Sequence, residues 1–182
     1  GNWSPTGTPG LVSSEDLWED TKDTVVISAP RAEVQSGSLV SIPLTISDTT
    51  EKGISGYQFD VVYDPSVLEP DAAFAAIAGQ ISEGMSVVAN TPEMGRLKVF
   101  VYSVSLMNGE GHLLDLRFNT IGPIGSTTKL VIENLMLNEG EIKSGANSGE
   151  VVIKEAGQDR KLSGRILNPF GEGVSGARVT IT

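Results

Sequence analysis

The 182-residue chain contains no cysteine, which excludes disulfides, thiolate metal sites and cysteine nucleophiles. It has one histidine, His112, so a His-rich metal centre is excluded as well. No Gly-x-Ser-x-Gly elbow accompanies that histidine, and His112 reads as a surface or partly buried residue. Basic residues are few: 13 Lys and Arg stand against 23 Asp and Glu, for a net charge of −10. That balance provides no basic track for nucleic acid and opposes binding to an acidic membrane surface. No apolar run approaches the roughly 20 residues that span a bilayer. Carboxylates are so common that a glycosidase-like pair could fall anywhere, and the acid-rich stretches EDLWED and NEGE lack calcium-loop spacing. The expectation is a non-enzymatic chain with no cofactor and no metal.

What the chain does have is glycine, 21 residues, and short β-rich runs separated by turn residues every 8 to 12 positions or so. In LVSIPLTIS, Val40, Ile42, Leu44 and Ile46 share one face, while Pro43 on the other marks an edge or a bulge. HLLDLRFNT alternates with Leu114, Leu116 and Phe118 in and Asp115, Arg117 and Asn119 out. PDAAFAAIAGQISEG is the one candidate for a helical turn or a long loop. Too few helices are available for parallel crossovers. The fold class expected is all-β, a nine-stranded antiparallel sandwich over residues 24–154. Residues 1–23 read as a linker with at most one short turn after Ser13 or Ser14, from which Leu17 and Trp18 could pack back on the domain. Residues 155–161 read as a second linker. Residues 162–182 read as the first strands of another β-domain, whose unpaired edges could support self-association.

The stretch GISGYQFDVVYDPSVLEP places Tyr57, Phe59, Val61 and Tyr63 on one face and Gly56, Gln58, Asp60 and Val62 on the other. Tyr63-Asp64-Pro65 then stops the ladder, because proline has no N–H to donate and restricts the residue before it. Asp64 is suited to cap that turn on its own backbone, a structural role that needs no catalysis.

These residues resemble the cohesin family. The Gly-led aromatic strand ending in Tyr-Asp-Pro and followed by Val-Leu-Glu carries most of the likeness. VSIPLTIS, GRLKVFVYSVS, the GHLLDLRFNT run with its following strands, and SGEVVI carry the rest, in order over residues 24–154. The resemblance implies a jelly roll whose flat sheet binds a dockerin-type module, with calcium held in the partner's own loops. It also implies a secreted or cell-surface scaffold linked to polysaccharide degradation. LSGRILNPFGEGVSGARVTI is similar to the first strands of a carboxypeptidase-regulatory-like, transthyretin-type domain.

On the docking face, matching bulk to bulk across strands puts Phe100 and Tyr102 inward with Tyr57 and Phe59. Leu97, Val99, Val101 and Ser103 then point outward beside Gln58, Asp60 and Val62, as an apolar patch with a polar rim. Coverage of that row by a loop or by either terminal segment is the alternative. Gly56 and Gln58 occupy positions where cellulosomal cohesins usually place polar residues such as Asn and Asp, a departure that leaves open a dockerin of divergent type or none. Two other functions compete: a carbohydrate-binding module, and a spacer in a surface or secretion-apparatus protein. Both tryptophans lie in residues 1–23 and aromatics are 5% of the chain, which counts against a sugar platform.

Overall fold

A computed structural model describes residues 24–156; the expectations for residues 1–23 and 157–182, the transthyretin-like strands included, lie outside the described residues. The described residues form twelve strands: β1 Val25–Ser28, β2 Arg31–Gln35, β3 Leu39–Ile46, β4 Gly56–Val62, β5 Leu68–Pro70, β6 Ala76–Ala78, β7 Ser86–Glu93, β8 Arg96–Tyr102, β9 Gly111–Thr120, β10 Thr127–Leu137, β11 Ser144–Asn147 and β12 Gly149–Lys154. They build two six-stranded sheets packed face to face as a jelly-roll sandwich. One has the order β11-β1-β3-β9-β5 with β6 also on β9; the other has the order β2-β12-β10-β4-β8-β7.

Twelve strands arise where nine were expected, partly because two runs are each broken in the middle as they change sheets. The first run crosses at Ala29-Pro30, between β1 and β2. The last crosses at Ser148, between β11 and β12. The two runs travel side by side, so β1 pairs with β11 and β2 with β12 in parallel, the two exceptions to an otherwise antiparallel fold. Their crossing is tight. A Cβ on Gly149 would collide with the Pro30 carbonyl and lie 2.9 Å from the Ala29 carbonyl carbon, so only glycine fits there. The PDAAFAAIAGQISEG region contains no helix and adds β6 to the edge of the first sheet.

Alternation decides the core. Ile42, Leu44 and Ile46 of β3 and Leu114, Leu116 and Phe118 of β9 are buried from one sheet, and Tyr57, Phe59 and Val61 of β4 from the other. Tyr57 and Phe59 stack with ring centroids 6.2 Å apart, and Tyr63 meets Phe118 edge-on at 5.1 Å. Pro43 is exposed and paired with β9, beyond the short reach of β1 on its other side, so its missing N–H costs no ladder bond there. The neighbouring register shift lets Leu113 and Leu114 both turn inward.

The Tyr-Asp-Pro turn forms as its chemistry dictates. The Asp64 carboxylate accepts from the Ser66 hydroxyl at 2.6 Å and the Ser66 N–H at 2.9 Å, and its carbonyl accepts from the N–H groups of Val67 and Leu68. Those Ser66 bonds, the hydroxyl first, hold the Asp64 carboxyl below its ordinary pKa. The chain then crosses from β4 in the second sheet to β5 in the first.

Candidate protein-docking face

The outer surface of β7, β8, β4 and β10 is set by cross-strand register. Residues directly opposite one another share a face of the sheet. Tyr57 is paired with Val101, Phe59 with Val99 and Val61 with Leu97. Because β4 turns Tyr57, Phe59 and Val61 inward, β8 must turn Leu97, Val99 and Val101 inward with them, and all three are 0% exposed. The expectation of an outward Leu97, Val99 and Val101 is therefore corrected: they are core. The stacked Tyr57 and Phe59 rings already fill the space, and branched aliphatic residues complete it better than a second aromatic pair.

The inversion places Phe100 and Tyr102 outside, 45% and 50% exposed, with ring centroids 5.6 Å apart. Phe100 is paired with Gln58 on one side and Val88 on the other, and Gln58 is paired in turn with Met136. An apolar row, Val88, Phe100 and Met136, thus crosses the sheet with Gln58 set into it. One register step along, Tyr102 lies between Ser86 and Gly56.

Gly56 opens this surface. A Cβ there would sit 3.1 Å from the Val101 carbonyl oxygen, and its absence leaves the floor of a concavity of about 460 Å³ bare. Phe100, Tyr102, Gln58 and Met136 line it, and Glu139 and Glu141 stand at its rim. The wall is braced by Asn138, whose side-chain carbonyl accepts from Ser55 N–H at 2.9 Å and Gly56 N–H at 3.3 Å, while its amide donates to the Gly53 carbonyl at 2.7 Å. Ser103 lies just past β8, half-buried at the same rim, and its N–H donates to the Ser55 carbonyl at 2.8 Å.

A charged row borders the apolar one. Asp60 is on the outer face as expected, yet it is only 4% exposed and so is no free contact residue. Arg96 Nη1 lies 3.1 Å from its Oδ2, Asn134 Nδ2 donates to that same oxygen at 2.9 Å, and Lys98 Nζ lies 3.6 Å from Oδ1. Arg96 also reaches Glu133 at 3.1 Å and, through Nε, Glu93 at 2.7 Å. Bonding to Glu93 and Glu133, ahead of Asp60, pushes the Arg96 pKa further above its already high value. Val62 is half-buried between Arg96 and Val131. Of the expected outward residues, Gln58 and Ser103 thus line the concavity, Asp60 and Val62 lie under or beside the ion pairs, and Leu97, Val99 and Val101 are interior. Phe100, Tyr102, Val88 and Met136 were missed.

No group of three or more His, Cys, Asp or Glu among the described residues is arranged to hold a metal ion. His112 Nε2 lies 3.1 Å from an Asp115 carboxylate oxygen, and although the ring is partly exposed that nitrogen is itself buried and makes no hydrogen bond among the described residues. The face consists of apolar and aromatic groups on a preformed antiparallel sheet, which suits it to receive another surface.

The Cohesin domain family model matches residues 25–153. The chain belongs to the cohesin family. Cohesin domains are non-catalytic protein–protein interaction modules. Among solved structures, the sixth cohesin of Acetivibrio cellulolyticus scaffoldin B, solved in complex with a mutant Cel5 dockerin, is 25% identical. That match covers 72% of this chain and 99% of that one, with a TM-score of 0.62. A non-cellulosomal cohesin from the archaeon Archaeoglobus fulgidus is 19% identical over 71% of this chain and 91% of its own, with a TM-score of 0.59. The OlpC cohesin of Clostridium thermocellum, solved as a type I cohesin–dockerin complex, is 15% identical over 73% and 95%, with a TM-score of 0.61. No curated protein sequence matches this cohesin.

Proposed function

We propose that this cohesin docks a dockerin-type protein module on the outer face of β7, β8, β4 and β10. The observation that carries the reading is the outward pair Phe100 and Tyr102, large rings held half-exposed on a sheet whose fold needs neither of them. Aromatic anchors of this kind dominate binding energy at interfaces, and a preformed sheet loses little freedom on association. The relatives solved with dockerins on them support the choice of partner. Calcium belongs to the partner's loops, so chelation releases the partner without unfolding the cohesin. The setting is a secreted or surface-attached scaffold linked to polysaccharide breakdown. Isothermal titration against a panel of dockerin modules in calcium tests the reading: binding abolished by Phe100→Ala with Tyr102→Ala supports it. Binding that survives the double substitution sinks it.

The same two rings favour one second reading. Exposed aromatics beside a polar concavity with Gln58, Glu139 and Glu141 are also the materials of a sugar platform. Their planes are tilted by 39°, which suits a curved protein surface better than a flat glycan chain. Glycan-array binding that is lost in the same double variant would favour the sugar.

A further inference from the structure

The apolar row of the docking face does not stop where β8 stops. The Ser103 N–H donates to the Ser55 carbonyl at 2.8 Å, which carries the pairing of β8 with β4 one step past Tyr102. The chain then bends at Val104 and Ser105 before it enters β9. Along this run the apolar side chains keep their parity. Phe100 and Tyr102 are half-exposed, Val104 is fully exposed and Leu106 is 64% exposed, while Val99, Val101 and Met107, at the intervening parity, are buried. No residue from Val99 to Gly109 is charged, between Lys98 and Glu110. Exposed apolar groups without charges among them are the composition of an interface centre rather than of a solvated loop.

The segment is fastened at both ends. The Ser105 N–H donates to the Ser103 hydroxyl oxygen at 3.0 Å, the Met107 N–H donates to the Ile54 carbonyl at 2.7 Å, and the Met107 side chain is in the core. Two residues on, the Gly109 carbonyl accepts from the N–H of buried Thr49 at 2.9 Å and from its hydroxyl at 2.7 Å. Backbone bonds and Met107 thus hold the segment in place, and the exposed side chains of Val104 and Leu106 take no part in holding it. A partner meets them already ordered, so association loses little freedom there.

Resting on the docking reading above, we propose that Val104 and Leu106 are specificity-determining contacts for the same partner. The interface runs from Phe100 and Tyr102 off the end of the sheet onto residues 103–107, and it takes a dockerin-type module that presents an uncharged apolar stripe there. Continuity with the two rings names the occupant: six residues from Phe100 to Leu106 span at most about 20 Å, within reach of one small module. A second copy of this chain fits less well, because its net charge of −10 would be set against the same charge.

Val104→Ser with Leu106→Ser in the full chain, titrated calorimetrically in calcium against a dockerin module that the parent binds, tests the proposal. Affinity weakened by about fivefold or more, with the urea midpoint unchanged, supports it. A smaller change overturns it; where Phe100→Ala with Tyr102→Ala still abolishes binding, docking on the sheet stands and only the extension falls. Unchanged affinity in that ring pair, or a parent that binds no dockerin module, removes the docking reading and this inference with it. A urea midpoint lowered in the serine pair means that the chain's own residues cover Val104 and Leu106, which overturns it too. Val104→Asp leaves the backbone bonds of the segment in place and should weaken binding at unchanged stability; affinity equal to the parent's there also overturns the proposal.

Discussion

The two sheets of this sandwich obey one rule inside and differ outside. On the outer face of the β3–β9 pair, Ser41, Pro43 and Thr45 lie opposite Arg117, Asp115 and His112. Its exposed aliphatics, Leu39 and Ile77, each face a polar partner, Asn119 and Asp115. Isolated apolar residues of this kind are ordinary on a protein surface. On the outer face of β7, β8, β4 and β10, by contrast, Val88, Phe100 and Met136 run together across the sheet, with Tyr102 beside them. Both sheets fold by burying alternate residues, so folding does not require the second pattern. What folding leaves unexplained is the part that the proposed docking would account for.

The sharpest way to break this comparison is to substitute neighbours on one strand. Val99→Asp places an unpaired carboxylate in the core and should cost more than about 4 kcal/mol, enough to prevent folding. Phe100→Asp, one residue away and facing water, should stay within about 1 kcal/mol of the parent by urea denaturation. The opposite ranking would restore the inverted register and remove the docking face.

Binding sharpens the contrast. Phe100→Ala and Tyr102→Ala should each weaken dockerin affinity by about 30-fold or more, the effect of losing a hot-spot ring of about 2 kcal/mol. Ser41→Ala with Thr45→Ala, on the other sheet, should leave titration curves unchanged. A loss from the second pair would move the interface to the first sheet.

The charged row should separate the sheets on a smaller scale. Asp60→Ala removes a nearly buried acceptor bonded to Arg96 and Asn134, and should lower stability by about 1.5 to 3 kcal/mol. Asp115→Ala on the first sheet removes a more exposed contact to His112 and should change stability by less than about 0.5 kcal/mol. Comparable losses would mean that Arg96 and Lys98 compensate for Asp60.

The sandwich was legible because each strand announces its own inner face, as in Leu114, Leu116 and Phe118, and because Tyr-Asp-Pro carries its own turn chemistry. β8 was misread because both of its faces are apolar, so that alternation gives no sign. The bulk of Phe100 and Tyr102 then argued for the wrong side. One local signal did point correctly: Lys98 and Arg96 share their parity, and a strand rarely turns two cations into a core. The parallel pairs β1–β11 and β2–β12 were beyond reading, since they depend on where two distant runs cross, at Pro30 and Gly149. The burial of Asp60 was equally hidden, being made by residues 36 and 74 positions away.

The smallest effect contrasts the rings that face in with those that face out. The Tyr57 hydroxyl meets the Ser82 hydroxyl at 2.7 Å in the interior, and burial raises its phenol pKa well above the ordinary 10, the bond to Ser82 opposing weakly. A pKa raised in the folded state means that only the neutral phenol is compatible with the fold. The stability it supports is complete below about pH 10, the unfolded value, and is lost as pH rises beyond it, at about 1.4 kcal/mol per pH unit. Tyr63 is shifted in the same direction, chiefly by burial, and adds to the alkaline loss. Tyr57→Phe removes one of these two contributions and leaves the Ser82 hydroxyl without its partner. The variant should therefore be less stable than the parent by about 1 kcal/mol at neutral pH. The two denaturation curves should converge above about pH 10.5, because only the parent still has the Tyr57 proton to lose. Parallel curves across that range would mean that Tyr57 ionises without opening the core, and that the inner face of β4 is wetter than the packing of Tyr57 on Phe59 allows.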